Sequence, residues 1–200
     1  MYSPESVDQP IKNFHWLGLT TGIFEAYDKK AIVPVLLDRE GNVTEGPGFN
    51  VFSVRNARLA TPDRGLFEGM TRRTVIELSS ELGLPCEVRP VAAEELRNSD
   101  EIFITSTAGG VMSVTDLDGR IYGNGKPGPI TTALARPIGS AIARGGVQLP
   151  STTAPNATKC VIPKDQPMSD RLRPQPASST ARSAKQAADQ IGNKEVSEMR

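Results

Sequence analysis

The chain has 200 residues with 23 basic and 23 acidic side chains, so no net charge argues for nucleic acid or an anionic membrane as a default partner. Two cysteines, Cys86 and Cys160, and a single histidine, His15, offer no metal-ligand spacing and no comfortable basis for a zinc cluster or a Ser-His-Asp triad. The apolar runs are far too short to span a bilayer, and Met1-Tyr2-Ser3-Pro4-Glu5 lacks the regions of a signal peptide; a soluble, cytoplasmic protein without a structural disulfide is expected.

In chain order, residues 1–10 read as a connector without a core of their own. Ile11-Lys12-Asn13-Phe14 is short and partly apolar, and it feeds a helix in which Leu19, Ile23, Phe24 and Tyr27 recur at helical spacing between Leu17 and Tyr27. Val33-Pro34-Val35-Leu36-Leu37 predicts a strand, and Asp38 to Asn42 its polar turn. Next comes Thr44-Glu45-Gly46-Pro47-Gly48-Phe49-Asn50, an acidic residue in a glycine-rich turn, followed by the alternating Val51-Phe52-Ser53-Val54, a turn opened by Asn56 and a second arm through Arg58-Leu59-Ala60. Taken alone, that turn is either a hairpin connection with an exposed glutamate or a place where backbone approaches a ligand closely.

Thr61 to Gly65 is a turn by composition. Val75, Ile76, Leu78 and Leu82 predict an amphipathic helix over Thr71 to Leu82, with Gly83 placed for a left-handed cap. Its start, free N–H groups after Gly69 plus the Thr71 hydroxyl, is either an ordinary cap or a site for a dianion. Cys86 to Pro90 predicts a strand with Cys86 as a small buried residue, Ala92 to Arg97 a short helix, and Glu101 to Ser106 a buried strand. Thr107-Ala108-Gly109-Gly110 leaves room beside it, strand character resumes over Val111 to Val114, and Asp118-Gly119 turns into Arg120-Ile121-Tyr122. A helix from Ile130 is compromised by Pro137 and Gly139. The polar segment from Gly146 to Arg200 lacks aromatic residues and is expected to be disordered, with a weak helical pattern at Ala181 to Ile191.

Set side by side, Ile11-Lys12-Asn13, the Thr44 to Asn50 turn, Gly69-Met70-Thr71-Arg72 and Thr105-Ser106-Thr107-Ala108-Gly109-Gly110 resemble the class IV aminotransferases. These are pyridoxal 5'-phosphate enzymes of fold type IV, and the motif wording is most similar to the R-selective amine transaminases. The resemblance implies an α/β domain over residues 11–145, a mixed sheet or partial barrel with flanking helices, from the C-terminal, cofactor-binding half of the family's chain. Eleven residues precede Lys12 where the family has a further domain, which implies a truncated enzyme.

The resemblance also implies roles. Lys12 matches the lysine that holds the cofactor covalently and then shuttles a proton at the substrate carbon, chemistry that needs a desolvated amine. Glu45 matches the carboxylate facing the pyridine nitrogen, where a negative charge keeps that nitrogen protonated. Met70 and Thr71 match the helix start that holds the cofactor phosphate, and Thr107 a second hydroxyl donor to it. Phe67 falls where the family places an apolar side chain against the ring, with a core aromatic as the other reading. Trp16, Ala108 and Gly109 would border the substrate pocket. The implied reaction moves an amino group between an amine or amino acid and a keto acid or ketone, in a homodimer. The alternatives are an inactive remnant that binds cofactor weakly or acts through protein contacts, and an aminodeoxychorismate lyase-like activity on the same lysine.

Overall fold

A computed structural model describes residues 17–144 and 158–163, all within the first of two compact units, Met1–Lys164. The second unit, Asp165–Arg200, falls wholly outside the described residues, as do Lys12, Trp16 and the weak helical pattern at Ala181 to Ile191.

Alternating side chains build one mixed sheet. Its strands are β1 (Val33–Pro34), β2 (Glu45–Gly46), β3 (Phe49–Arg55), β4 (Arg58–Thr61), β5 (Cys86–Val88), β6 (Glu101–Ser106), β7 (Gly110–Leu117), β8 (Arg120–Ile121) and β9 (Thr158–Val161). Hydrogen bonding orders them β1-β9-β7-β6-β3-β4-β5, with β2 also on β3 and β8 also on β7. The β1–β9, β7–β9 and β4–β5 pairs are parallel and the rest antiparallel. The mixed α/β class therefore stands.

Strand alternation divides the core into two faces. On one, Phe52 of β3 stacks on Phe103 of β6 with ring centroids 4.8 Å apart, and both pack with Val54, Val75, Val111, Leu134 and Ile138 beneath α2 (Met70–Glu81) and α4 (Pro129–Arg144). On the other, Val51, Ile102 and Ile104 join Val35, Val43, Val114 and Leu117, together with Leu96 from α3 (Ala93–Arg97). The first helix, α1 (Leu17–Asp28), buries Ala26 against Ala31 and Val161.

Four sequence expectations need correction. The helix over Pro137 is continuous from Pro129 to Arg144. Proline within a helix costs about 3 kcal/mol, but fully burying Leu134 and Ile138 returns about 1.5–3 kcal/mol each. The Glu101 carboxylate also caps the helix start, accepting the Ile130 N–H at 3.1 Å and the Thr131 N–H at 2.9 Å. Disorder from Gly146 on is corrected at Thr158–Val161, which inserts between β1 and β7. Cys160 and Val161 are buried there, and four residues of the right pattern suffice when two open strand edges are waiting on either side. The predicted Val33 to Leu37 strand shortens to Val33–Pro34, since Leu36 exchanges hydrogen bonds with Thr44 and Glu45 instead. Cys86 is partly rather than fully buried, and both cysteines are free.

Candidate active site

The Thr44 to Asn50 stretch is a tight hairpin. Glu45 pairs with Asn50 and Gly46 with Phe49, leaving Pro47-Gly48 as a two-residue turn. Pro47 presets its own φ and Gly48 takes φ +82°, a conformation that side-chain-bearing residues resist.

Register then carries this hairpin across the sheet. Asn50 pairs with Thr105 on β6, and Thr105 pairs with Val111 on β7. Paired residues point to the same face, so Glu45, Asn50, Thr105 and Val111 form one row on the face covered by α2 and α4. The polar members of the row lie at the end of that face where α2 begins.

The connection from β4 to α2 is held by this row. Glu45 Oε2 accepts the Phe67 N–H at 2.9 Å, and Asn50 Nδ2 donates to the Phe67 carbonyl at 2.8 Å. Gly69, the N-cap of α2, passes so close to Asn50 that an added Cβ would lie 2.5 Å from its Oδ1. A third tie comes from the helix itself: the buried Arg72 donates through Nε to Thr61 Oγ1 at 3.2 Å and through Nη2 to the Pro62 carbonyl at 2.7 Å. The helix start is thus fixed to β2, β3 and β4 at once.

Electrostatically the site is poised. Burial pushes the Glu45 carboxyl up from 4.5 to about 7, while the Phe67 N–H works in the opposite direction. A cation facing it would favour the charged form. The α2 N-terminus begins one residue ahead of the predicted Thr71, and no side chain among the described residues caps it, which leaves its first N–H groups free there to meet an anion. Thr105 Oγ1, buried in the same row, has no hydrogen-bond partner among the described residues.

The other expected residues that the structure describes sit on the neighbouring elements. Phe67 is 39% exposed and Met70 73%, so among the described residues neither side chain is packed into the hydrophobic core. Thr71 is partly buried in the first turn of α2. Thr107, Ala108 and Gly109 are exposed in the connection between β6 and β7, Thr107 two residues beyond Thr105, and the Gly109 N–H is held by Ser106 Oγ at 2.9 Å. Among the described residues no cluster of His, Cys, Asp and Glu could hold a metal ion, and no helix is long and apolar enough to cross a membrane. Asn50, Arg72 and Thr105 received no role from the sequence. The available signal was compositional: asparagine is depleted in strands, yet one stands second in β3, between Phe49 and Val51.

Known proteins match this architecture. The family profile for amino-transferase class IV matches residues 1–117, and the chain belongs to that family. A protein of Aquifex aeolicus described as a probable branched-chain-amino-acid aminotransferase is 39% identical over 135 residues, covering 66% of this chain and 42% of the relative. The D-alanine aminotransferase of Bacillus licheniformis is 40% identical over 126 residues, covering 60% and 44%. Among solved structures, the branched-chain amino acid aminotransferase from Thermobaculum terrenum in its PLP-form superposes with a TM-score of 0.67 at 32% identity, over 70% of this chain and 47% of that one. The chain spans less than half the length of these curated relatives.

Proposed function

We propose that this chain is the cofactor-binding half of a pyridoxal-phosphate transaminase that moves an amino group between an amine or amino acid and a keto acid or ketone. The observation that carries this reading is the Phe67 clamp, which joins a partly buried carboxylate to a helix N-terminus without a side-chain cap among the described residues, through a single residue. A ligand with a basic ring nitrogen at one end and a dianionic phosphate at the other needs that pair of groups at a fixed separation.

The donor set fits the cofactor. The open N–H groups at Met70 and Thr71 suit the phosphate, and the Thr105 hydroxyl, buried on the strand paired with Asn50, has no partner among the described residues. Bound there, pyridoxal phosphate would supply an electron-accepting ring to the deprotonated substrate carbon. Glu45, once opposite a cationic nitrogen, is held in its charged form and keeps the proton on that nitrogen. Met70, Thr71 and Thr107 hold the phosphate end. The exposed Phe67 ring supplies an apolar surface beside the cofactor, with Trp16, Ala108 and Gly109 bordering the substrate. Lys12 Nζ anchors the cofactor and carries the proton to and from the substrate carbon. Homodimer formation and a cytoplasmic location belong to the same proposal.

Turnover tests it. The full chain with pyridoxal phosphate, an amine donor and a keto acid acceptor should yield the aminated acceptor, and Lys12→Ala should abolish the product. Cofactor-dependent release of aminobenzoate from aminodeoxychorismate, without amine transfer, would instead assign the lyase reaction.

A further inference from the structure

Glu45 and the start of α2 belong to different parts of the chain, and the segment joining β4 to α2, Pro62 to Gly69, contains no helix or strand. Such a connection does not hold two groups at a fixed separation unless something grips it along its length. Two side chains of the Glu45 hairpin do so, both at the same residue. Glu45 takes the Phe67 N–H at 2.9 Å and Asn50 gives a hydrogen bond to the Phe67 carbonyl at 2.8 Å.

We infer that Asn50 is a positioning residue for the cofactor site: by gripping the Phe67 carbonyl it sets the distance and angle between the Glu45 carboxylate and the N-terminus of α2. The inference rests on reading the site as a cradle for a two-ended cofactor. Three observations bear it. Asn50 is 4% exposed, so its amide is committed inside the protein. Its Oδ1 lies against Gly69, the N-cap itself, so one side chain touches the loop at Phe67 and again at the helix start. Its backbone is paired in register with Glu45 on one side and Thr105 on the other, which fixes the amide relative to the carboxylate.

The division of labour has a chemical reason. The Glu45 half of the clamp titrates, and its hydrogen bond to Phe67 competes with any cation the carboxylate faces. Asn50 carries no charge over the physiological range, so its grip is indifferent to the protonation of Glu45. The exposed Phe67 ring contributes little to holding the segment, which leaves the peptide as the point of attachment.

The test compares Asn50→Leu and Asn50→Asp with the wild-type full chain. Both substitutions approximate the size of asparagine and remove the donated hydrogen bond; the second keeps an oxygen beside Gly69. Without cofactor, exchange of the Phe67 amide, the one the clamp protects, should accelerate about tenfold or more, while amides over Val75 to Ser79 in the middle of α2 stay protected. In binding titrations, affinity for pyridoxal phosphate should fall about tenfold, whereas affinity for inorganic phosphate should change less than about twofold, because only the two-ended ligand senses the separation. Unchanged exchange at Phe67 in either folded variant would overturn the inference, as would parallel losses for both ligands. A wild-type chain that binds pyridoxal phosphate no better than inorganic phosphate would defeat the cradle reading itself, and the exchange data would still report on the clamp separately.

Discussion

The Glu45 carboxylate accepts the backbone N–H of Phe67 at 2.9 Å, across 22 residues of sequence, and so couples a hairpin turn to the start of a helix. This carboxyl titrates near 7 in the folded chain against 4.5 ordinarily, so between those values the folded state holds the proton more tightly than the unfolded one. Stability of the cofactor-free chain should therefore fall as pH rises from about 4.5 to 7. The loss should be on the order of 2 kcal/mol, after discounting for solvent screening of a side chain that is only partly buried. Urea unfolding across this range should show the slope in wild type and lose it in Glu45→Gln. Saturating pyridoxal phosphate should also flatten it, because a cation facing the carboxylate restores its ordinary preference for charge.

Gly69→Ala places a methyl group 2.5 Å from Asn50 Oδ1. The backbone itself accepts alanine, with φ −67° and ψ 140°, so the cost arises from the contact. The variant should lose about 1–2 kcal/mol, typical of an overpacked buried site. In an Asn50→Ala background the same substitution should cost clearly less, and a double-mutant cycle by denaturant unfolding reads the difference. Equal costs in both backgrounds would show that the two residues are not in contact.

Cys160 reports whether β9 is docked. Its thiol is pushed up to about 12, mainly by burial and then by Asp116 and Asp118, whereas Cys86 is only partly buried. At pH 8, a thiol reagent should label Cys86 well before Cys160. Val161→Asp puts a charge into a buried strand position and should bring Cys160 labelling close to the rate of a free thiol. Equal rates for the two thiols in the native chain would contradict the insertion of β9 between β1 and β7.

Most strands and helices were legible because their alternation and periodicity are local. Glu101–Ser106 and the helix ending before Gly83 follow from residues that are neighbours in sequence, and Gly83 does adopt the left-handed conformation, φ +68°. The failures share a different cause. Whether Pro137 breaks its helix depends on Phe52 and Phe103, which supply the surface that Leu134 and Ile138 cover. Whether Thr158–Val161 forms a strand depends on the two edges it enters, both far upstream in the chain. The site divides the same way. Motif resemblance proposes Glu45, Met70 and Thr71 for the site, whereas Asn50 acquires meaning only when Phe67 and Gly69 are beside it. No pattern along the chain announces that proximity.

The visible absorption spectrum after addition of pyridoxal phosphate tests the central claim most directly. A full chain that cradles the cofactor between Glu45 and the α2 N-terminus, with Lys12 as its anchor, should develop a long-wavelength band distinct from free cofactor. That band should vanish in Lys12→Ala and shift or weaken in Glu45→Ala. A well-folded wild-type chain whose spectrum equals that of free pyridoxal phosphate, or a band that survives in Lys12→Ala, would contradict the account.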